Sequence, residues 1–94
     1  MSIRVQIPSP LRSLTGGAPE VQVEAGTVAA LIEGLESAHQ GLREKLVDGD
    51  GKLRSYVRIF VNDEDVRFLD DQQTALKPGD QVAIVPAIAG GAGR

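Results

Sequence analysis

A single stretch of this chain, Val28 to His39, carries its apolar residues at helical spacing, and the longer patterned segments on either side alternate residue by residue. Val28, Leu31, Ile32, Leu35 and Ala38 fall on one face and Glu33, Glu36 and Ser37 on the other, which predicts one amphipathic helix with a stripe to bury. Thr27 stands before it as an N-cap whose hydroxyl can accept from an orphan amide of the first turn. Gly41 interrupts the pattern, and Leu42 to Val47 leave room for another helical turn or two. One main helix with one apolar stripe calls for a sheet to cover it.

The alternating runs supply that sheet. Ile3, Val5 and Ile7 interleave with Arg4 and Gln6, the pattern of a strand with one face on a core, and Pro8 and Pro10 end it. Thr15-Gly16-Gly17-Ala18-Pro19 has turn chemistry, and Glu20-Val21-Gln22-Val23-Glu24 alternates again, so the first two strands read as a hairpin. After the helix, Asp48-Gly49-Asp50-Gly51 is a loop. Tyr56 to Val61 then forms a strand with Val57, Ile59 and Val61 inward and Arg58 toward water. Asn62-Asp63-Glu64-Asp65 is an acidic turn into a short strand, Val66-Arg67-Phe68, followed by a loop from Leu69 to Leu76. Lys77-Pro78-Gly79-Asp80 turns the chain into a last strand, Gln81 to Pro86, apolar enough for the middle of a sheet. This order predicts an α+β fold of the β-grasp (ubiquitin-like) type: a mixed sheet of four to five strands, the first and last long strands parallel at its centre, and one helix across it. The 94 residues make one domain over 1–86, with a flexible tail over 87–94 that carries Gly90 and Gly91.

Composition narrows the chemistry. There are no cysteines, which removes disulfides, thiolate nucleophiles and cysteine metal sites, and the one histidine, His39, cannot make a cluster. A net charge of -3 with scattered basic residues argues against a nucleic-acid partner. Tyr56, Phe60 and Phe68 are the whole aromatic complement, too few for a base-stacking platform. The N-terminus has no long apolar run after a basic start, so neither a signal peptide nor a membrane span is expected, and the chain reads as cytoplasmic.

The familiar catalytic constellations fail on residue type. Gly49-Asp50-Gly51-Lys52 lacks the spacing and the Ser or Thr of a phosphate loop and precedes a strand where that motif needs a helix. Asp48-Gly49-Asp50-Gly51 misplaces the glycine of a calcium loop, and the position for its bidentate Glu is Ile59. Asp63-Glu64-Asp65 with Asp70-Asp71 reads as a solvated acidic edge, and His39 as a polar residue at a helix end. What remains is the glycine-rich ending.

Together, Phe60-Val61-Asn62-Asp63-Glu64-Asp65-Val66-Arg67-Phe68 and Gly79 through Gly91 carry a resemblance that spans nearly the whole chain. The Ile3-to-Ile7 strand with Leu11-Arg12, Thr15-Gly16-Gly17 and Gly51-Lys52-Leu53 adds to it. The chain resembles the MoaD/ThiS family of ubiquitin-like sulfur carriers, which act through a C-terminal Gly-Gly. The resemblance implies a protein that is not itself an enzyme. An E1-like adenylyltransferase/sulfurtransferase would adenylate the Gly91 carboxylate, and sulfur would displace the adenylate to leave a thiocarboxylate. Two glycines suit this because a thin strand can enter a narrow channel to the α-phosphate of ATP. In the branch that feeds cysteine biosynthesis, a pyridoxal-phosphate-dependent cysteine synthase would consume the sulfur and a zinc protease would release the product. ATP, pyridoxal phosphate and zinc then belong to partners, and this chain holds no cofactor or metal. Alternative readings are a molybdopterin synthase small subunit, a ubiquitin-like protein modifier, or an interaction module with an inert tail.

One departure matters. In the family the second glycine is normally last, whereas Ala92-Gly93-Arg94 follow Gly91 here. The expectation is a precursor cut between Gly91 and Ala92 by a JAMM-type metalloprotease. Docking of the carrier is expected to use the exposed sheet face with Arg58, Phe60, Arg67 and Phe68, although Phe60 and Phe68 are equally readable as core.

Overall fold

The computed structural model describes residues 2–86. Five strands form one mixed sheet: β1 (Ile3–Gln6), β2 (Glu20–Val23), β3 (Val57–Val61), β4 (Glu64–Asp65) and β5 (Gln81–Pro86), in the order β2-β1-β5-β3-β4. β1 and β5 run parallel at the centre with Val5 beside Val82, and the other neighbours are antiparallel, Ile3 opposite Val23 and Ile59 opposite Ile84. This is the expected β-grasp sheet. Two helices, α1 (Val28–Ala38) and α2 (Leu42–Leu46), accompany it.

The core lies between α1 and one face of the sheet. Val28, Leu31, Ile32 and Leu35 are buried on the helix, and Ile3, Val5, Val57, Ile59, Val82 and Ile84 are buried on the strands. Each buried leucine or isoleucine contributes about 1.5–3 kcal/mol by leaving water. Gly34 lets α1 approach β2, since a Cβ there would stand 2.6 Å from Val23 Cγ1. The Thr27 hydroxyl accepts from the Ala30 amide at 3.2 Å, which is the expected cap. Ile7 lies one residue past β1 yet stays buried, and its amide donates to the Pro19 carbonyl at 2.8 Å. Between β1 and β2 the chain winds through a 3-10 helix, Ser9–Thr15, that drops Leu11 into the core.

The main correction concerns residues 64–68. The short strand is Glu64–Asp65, and Val66–Phe68, expected as the strand, is a 3-10 helix. The cause is local. Asn62 and Asp63 both take positive φ (51° and 74°), which closes a tight two-residue hairpin and starts the pairing two residues early. The Asp65 carboxylate then accepts from the Arg67 amide at 2.9 Å and caps the 3-10 turn.

A second polar joint ties this hairpin to the turn before β5. Asp80 accepts from the Lys77 amide at 2.8 Å and from Asn62 Nδ2 at 2.9 Å, while Asn62 Oδ1 accepts from the Gln81 amide at 3.0 Å. The Lys77 amide first, and the Asn62 side-chain amide second, hold the Asp80 carboxyl below its ordinary value of 3.8. A depressed folded-state value means that the carboxylate stabilises the fold above the unfolded value and loses that contribution as pH falls through the folded one. An Asp80→Asn chain should therefore be less stable than the parent at about pH 6, with the difference shrinking below about pH 4. Urea unfolding at both pH values checks this, and a pH-independent difference would contradict it.

Candidate functional site

The sheet face turned away from α1 is open. Alternation along the strands places Arg4 and Gln6 of β1, Arg58 and Phe60 of β3, and Ala83 and Val85 of β5 on it. The register puts Phe60 beside Ala83, Ala83 beside Gln6, and Arg58 beside Val85. Small Ala83 leaves room next to the Phe60 ring, and a shallow cleft of about 180 Å³ forms there, bordered by Gln6, Phe60, Asn62, Asp63 and Gln81. Phe60 is half-buried, neither core nor fully exposed, because its ring lies along this face.

The four expected docking residues divide. Arg58 and Phe60 share the open face, two positions apart on one strand. Phe68 is 84% exposed, outside the core on the 3-10 turn after β4. Arg67 is half-buried, and its guanidinium donates from Nη2 to the Arg54 carbonyl at 2.9 Å, which ties the loop before β3 to the segment after β4. Arg58 donates from Nη1 to Asp65 Oδ2 at 3.2 Å; its side chain is 49% exposed and that of Asp65 only 5%. Arg4, on the same face, stands 3.8 Å from Glu20.

β5 ends at Pro86, opposite Val57. A groove of about 270 Å³ runs beside that end, walled by Pro10, Leu11, Tyr56, Ile84 and Pro86 with Lys45 at its rim. Gly90, Gly91 and Ala92 lie outside the described residues, as does the whole proposed tail 87–94.

Two carboxylates matter more than the sequence suggests. Asp65 reads as part of an acidic edge, but it is one of three buried polar residues among those described. Glu36 falls on the solvent face of α1 by spacing, yet its Oε1 accepts from the amides of Gly41 and Arg43, each at 3.0 Å, and so satisfies the start of α2. The loop that fails as a calcium site is a side-chain turn: Asp48 Oδ1 accepts from the amides of Asp50 at 2.8 Å and Lys52 at 3.1 Å. Among the described residues no cluster of three His, Asp or Glu could hold a metal, and no helix is long and apolar enough to cross a membrane.

The sequence profile of the ThiS family matches residues 5–91, thus taking in nearly all of the described fold and ending on the second glycine of the pair. The chain belongs to the ThiS family. Among curated relatives of this ThiS chain, the sulfur carrier protein CysO of Mycobacterium bovis is 46% identical over 93 residues, covering 97% of this chain and all of that one. CysO in the crystal structure of the Amycolatopsis orientalis BexX/CysO complex superposes with a TM-score of 0.89 at 42% identity, covering 95% of this chain and 99% of that one. The small archaeal modifier SAMP1 of Haloferax volcanii shares the fold at a TM-score of 0.82 and 24% identity, covering 97% of this chain and all of that one.

Proposed function

We propose that this ThiS-family chain carries sulfur as a thiocarboxylate on Gly91 and supplies it to cysteine biosynthesis. The observation that carries the reading is its 46% identity to a sulfur carrier, CysO, across the whole of that protein. Gly91 is joined to Ala92 by an amide, so a carboxylate appears only after hydrolysis of that bond, the task assigned to a JAMM-type metalloprotease. The freed carboxylate attacks the α-phosphate of ATP on an E1-like enzyme and pyrophosphate leaves. Sulfide then displaces AMP, and one carboxyl oxygen has been exchanged for sulfur.

Within this scheme the domain is a handle and the tail is the working part. β5 is central in the sheet, paired with β1 over Gln81–Ala83 and with β3 over Val82–Pro86, so that Pro86, opposite Val57, is the root of the segment that leads to Gly91. The open face, with Phe60 and Arg58 of β3 on it, meets the enzyme while the tail enters the active site. Phe68 extends that contact, and Arg67 acts chiefly by holding the backbone at Arg54. Phosphate activation, pyridoxal phosphate and zinc belong to the partner enzymes, which matches a chain with no cysteine and one histidine.

The acceptor is tested with the loaded chain. Mixed with the pyridoxal-phosphate-dependent cysteine synthase of the same organism and an activated serine derivative, thiocarboxylated protein should gain a cysteinyl group at Gly91, seen by intact-mass and fragment-ion analysis. No adduct with that synthase, and sulfur transfer to a molybdopterin precursor instead, would contradict the cysteine assignment.

A further inference from the structure

The geometry points to Asp65 as a positioning residue that aims the Arg58 guanidinium outward from the open sheet face, toward a carboxylate on the enzyme that adenylates the tail; this rests on the carrier reading above. Asp65 lies on β4 opposite Phe60. Although its side chain is only 5% exposed, both oxygens are in use: Oδ1 accepts from the Arg67 amide at 2.9 Å and Oδ2 from Arg58 Nη1 at 3.2 Å. A buried carboxylate is costly unless its partners are well placed. Here one oxygen caps a turn, and the other reaches a side chain that remains 49% exposed. A half-exposed ion pair adds little stability, so its main physical effect is to restrict where the guanidinium points.

That restriction suits recognition. Arginine offers five N–H donors in a planar fork. Asp65 takes one at Nη1, which leaves donors for a planar acceptor outside. A guanidinium already held loses less rotamer freedom on docking than a free one.

Charge sets the chemistry of the partner. The chain is net negative and the hairpin tip is acidic at Asp63 and Glu64, but the Asp65 charge is withdrawn below the surface. Arg4 has Glu20 beside it. Arg58 instead stands between Phe60 on its own strand and the exposed Val85 across the ladder. An aimed cation with Phe60 and Val85 beside it fits an enzyme surface that offers an Asp or Glu next to apolar side chains, and aromatic and arginine anchors of this kind dominate binding energies.

The test uses the Gly91-ended chain and the adenylating enzyme of the same organism, with calorimetry for Kd and ATP–pyrophosphate exchange for KM and kcat. Arg58→Gln should raise Kd and the KM for the chain by about tenfold or more at unchanged kcat. Asp65→Asn keeps an oxygen for the Arg67 amide and should raise both by about threefold or more with Arg58 intact, while the double variant should be no weaker than Arg58→Gln alone. Equal, additive losses, or no effect of Arg58→Gln, would overturn the proposal. Should Asp65→Asn not fold, Arg58→Lys carries the test: lysine can pair with Asp65 but lacks the fork. It should remain about threefold weaker or worse, and full affinity would overturn the role of the fork. A parent chain that is neither bound nor adenylated would instead bring down the carrier reading, and this proposal with it.

Discussion

Leu35→Ala is expected to lower the stability of the fold by about 2–5 kcal/mol, a large share of what a domain of this size possesses. Leu35 is fully buried on α1, the one long helix against which the sheet closes. Removing its side chain leaves a cavity in the buried cluster that α1 shares with the strands, and the cost grows with the volume left unfilled. For 94 residues the total stability is on the order of 5–14 kcal/mol, so the variant would be marginal or unfolded at 37 °C. Urea titration at 25 °C measures it as a lower midpoint with an unchanged slope. A loss below about 1 kcal/mol would mean that α1 is not the lid of the core.

The reason this prediction could be framed from Val28, Leu31, Ile32 and Leu35 is that burial on a helix leaves a period in the sequence. The same holds for the alternation in β1, β3 and β5, which places Arg58 toward solvent correctly. Legibility ends where a side chain's partner is distant or where the backbone leaves the common regions. Val66-Arg67-Phe68 looks like a strand by composition, but the positive φ values of Asn62 and Asp63 move the hairpin tip, and Asp65 caps a 3-10 turn in its place. Asp65 itself looks like every other acid in its run. Its burial depends on Arg58 across the hairpin and on the Arg67 amide, neither of which composition encodes. Glu36 is similar, since its amide partners lie at and beyond Gly41, outside its own helix. Phe60 resists assignment for a different reason: a residue on an open sheet face beside a small neighbour, Ala83, is half-buried, and core and surface are not its only choices.

The second large effect concerns the peptide bond after Gly91. In a chain that continues through Ala92-Gly93-Arg94, Gly91 has an amide where the chemistry needs a carboxylate, and an amide carbonyl is a poor nucleophile toward phosphorus. In a chain made to end at Arg94, the terminal carboxylate would lie three residues further on, on a residue with a long charged side chain. Glycine at the reacting end leaves the approach unobstructed, and displacement of the reacting group by even about 1 Å can cost about a hundredfold in rate. The effect of extension should therefore be close to all-or-none.

The measurement is intact-mass analysis of two chains, one ending at Gly91 and one continuing to Arg94, each incubated with the adenylating enzyme, ATP and a sulfide source. The Gly91-ended chain should gain the mass of one sulfur in place of one oxygen, and the extended chain should remain unchanged until the Gly91–Ala92 bond is cut. Conversion of the uncut chain, or failure of the Gly91-ended chain to convert with an enzyme that adenylates it, would contradict a sulfur carrier that works through the Gly91 carboxylate.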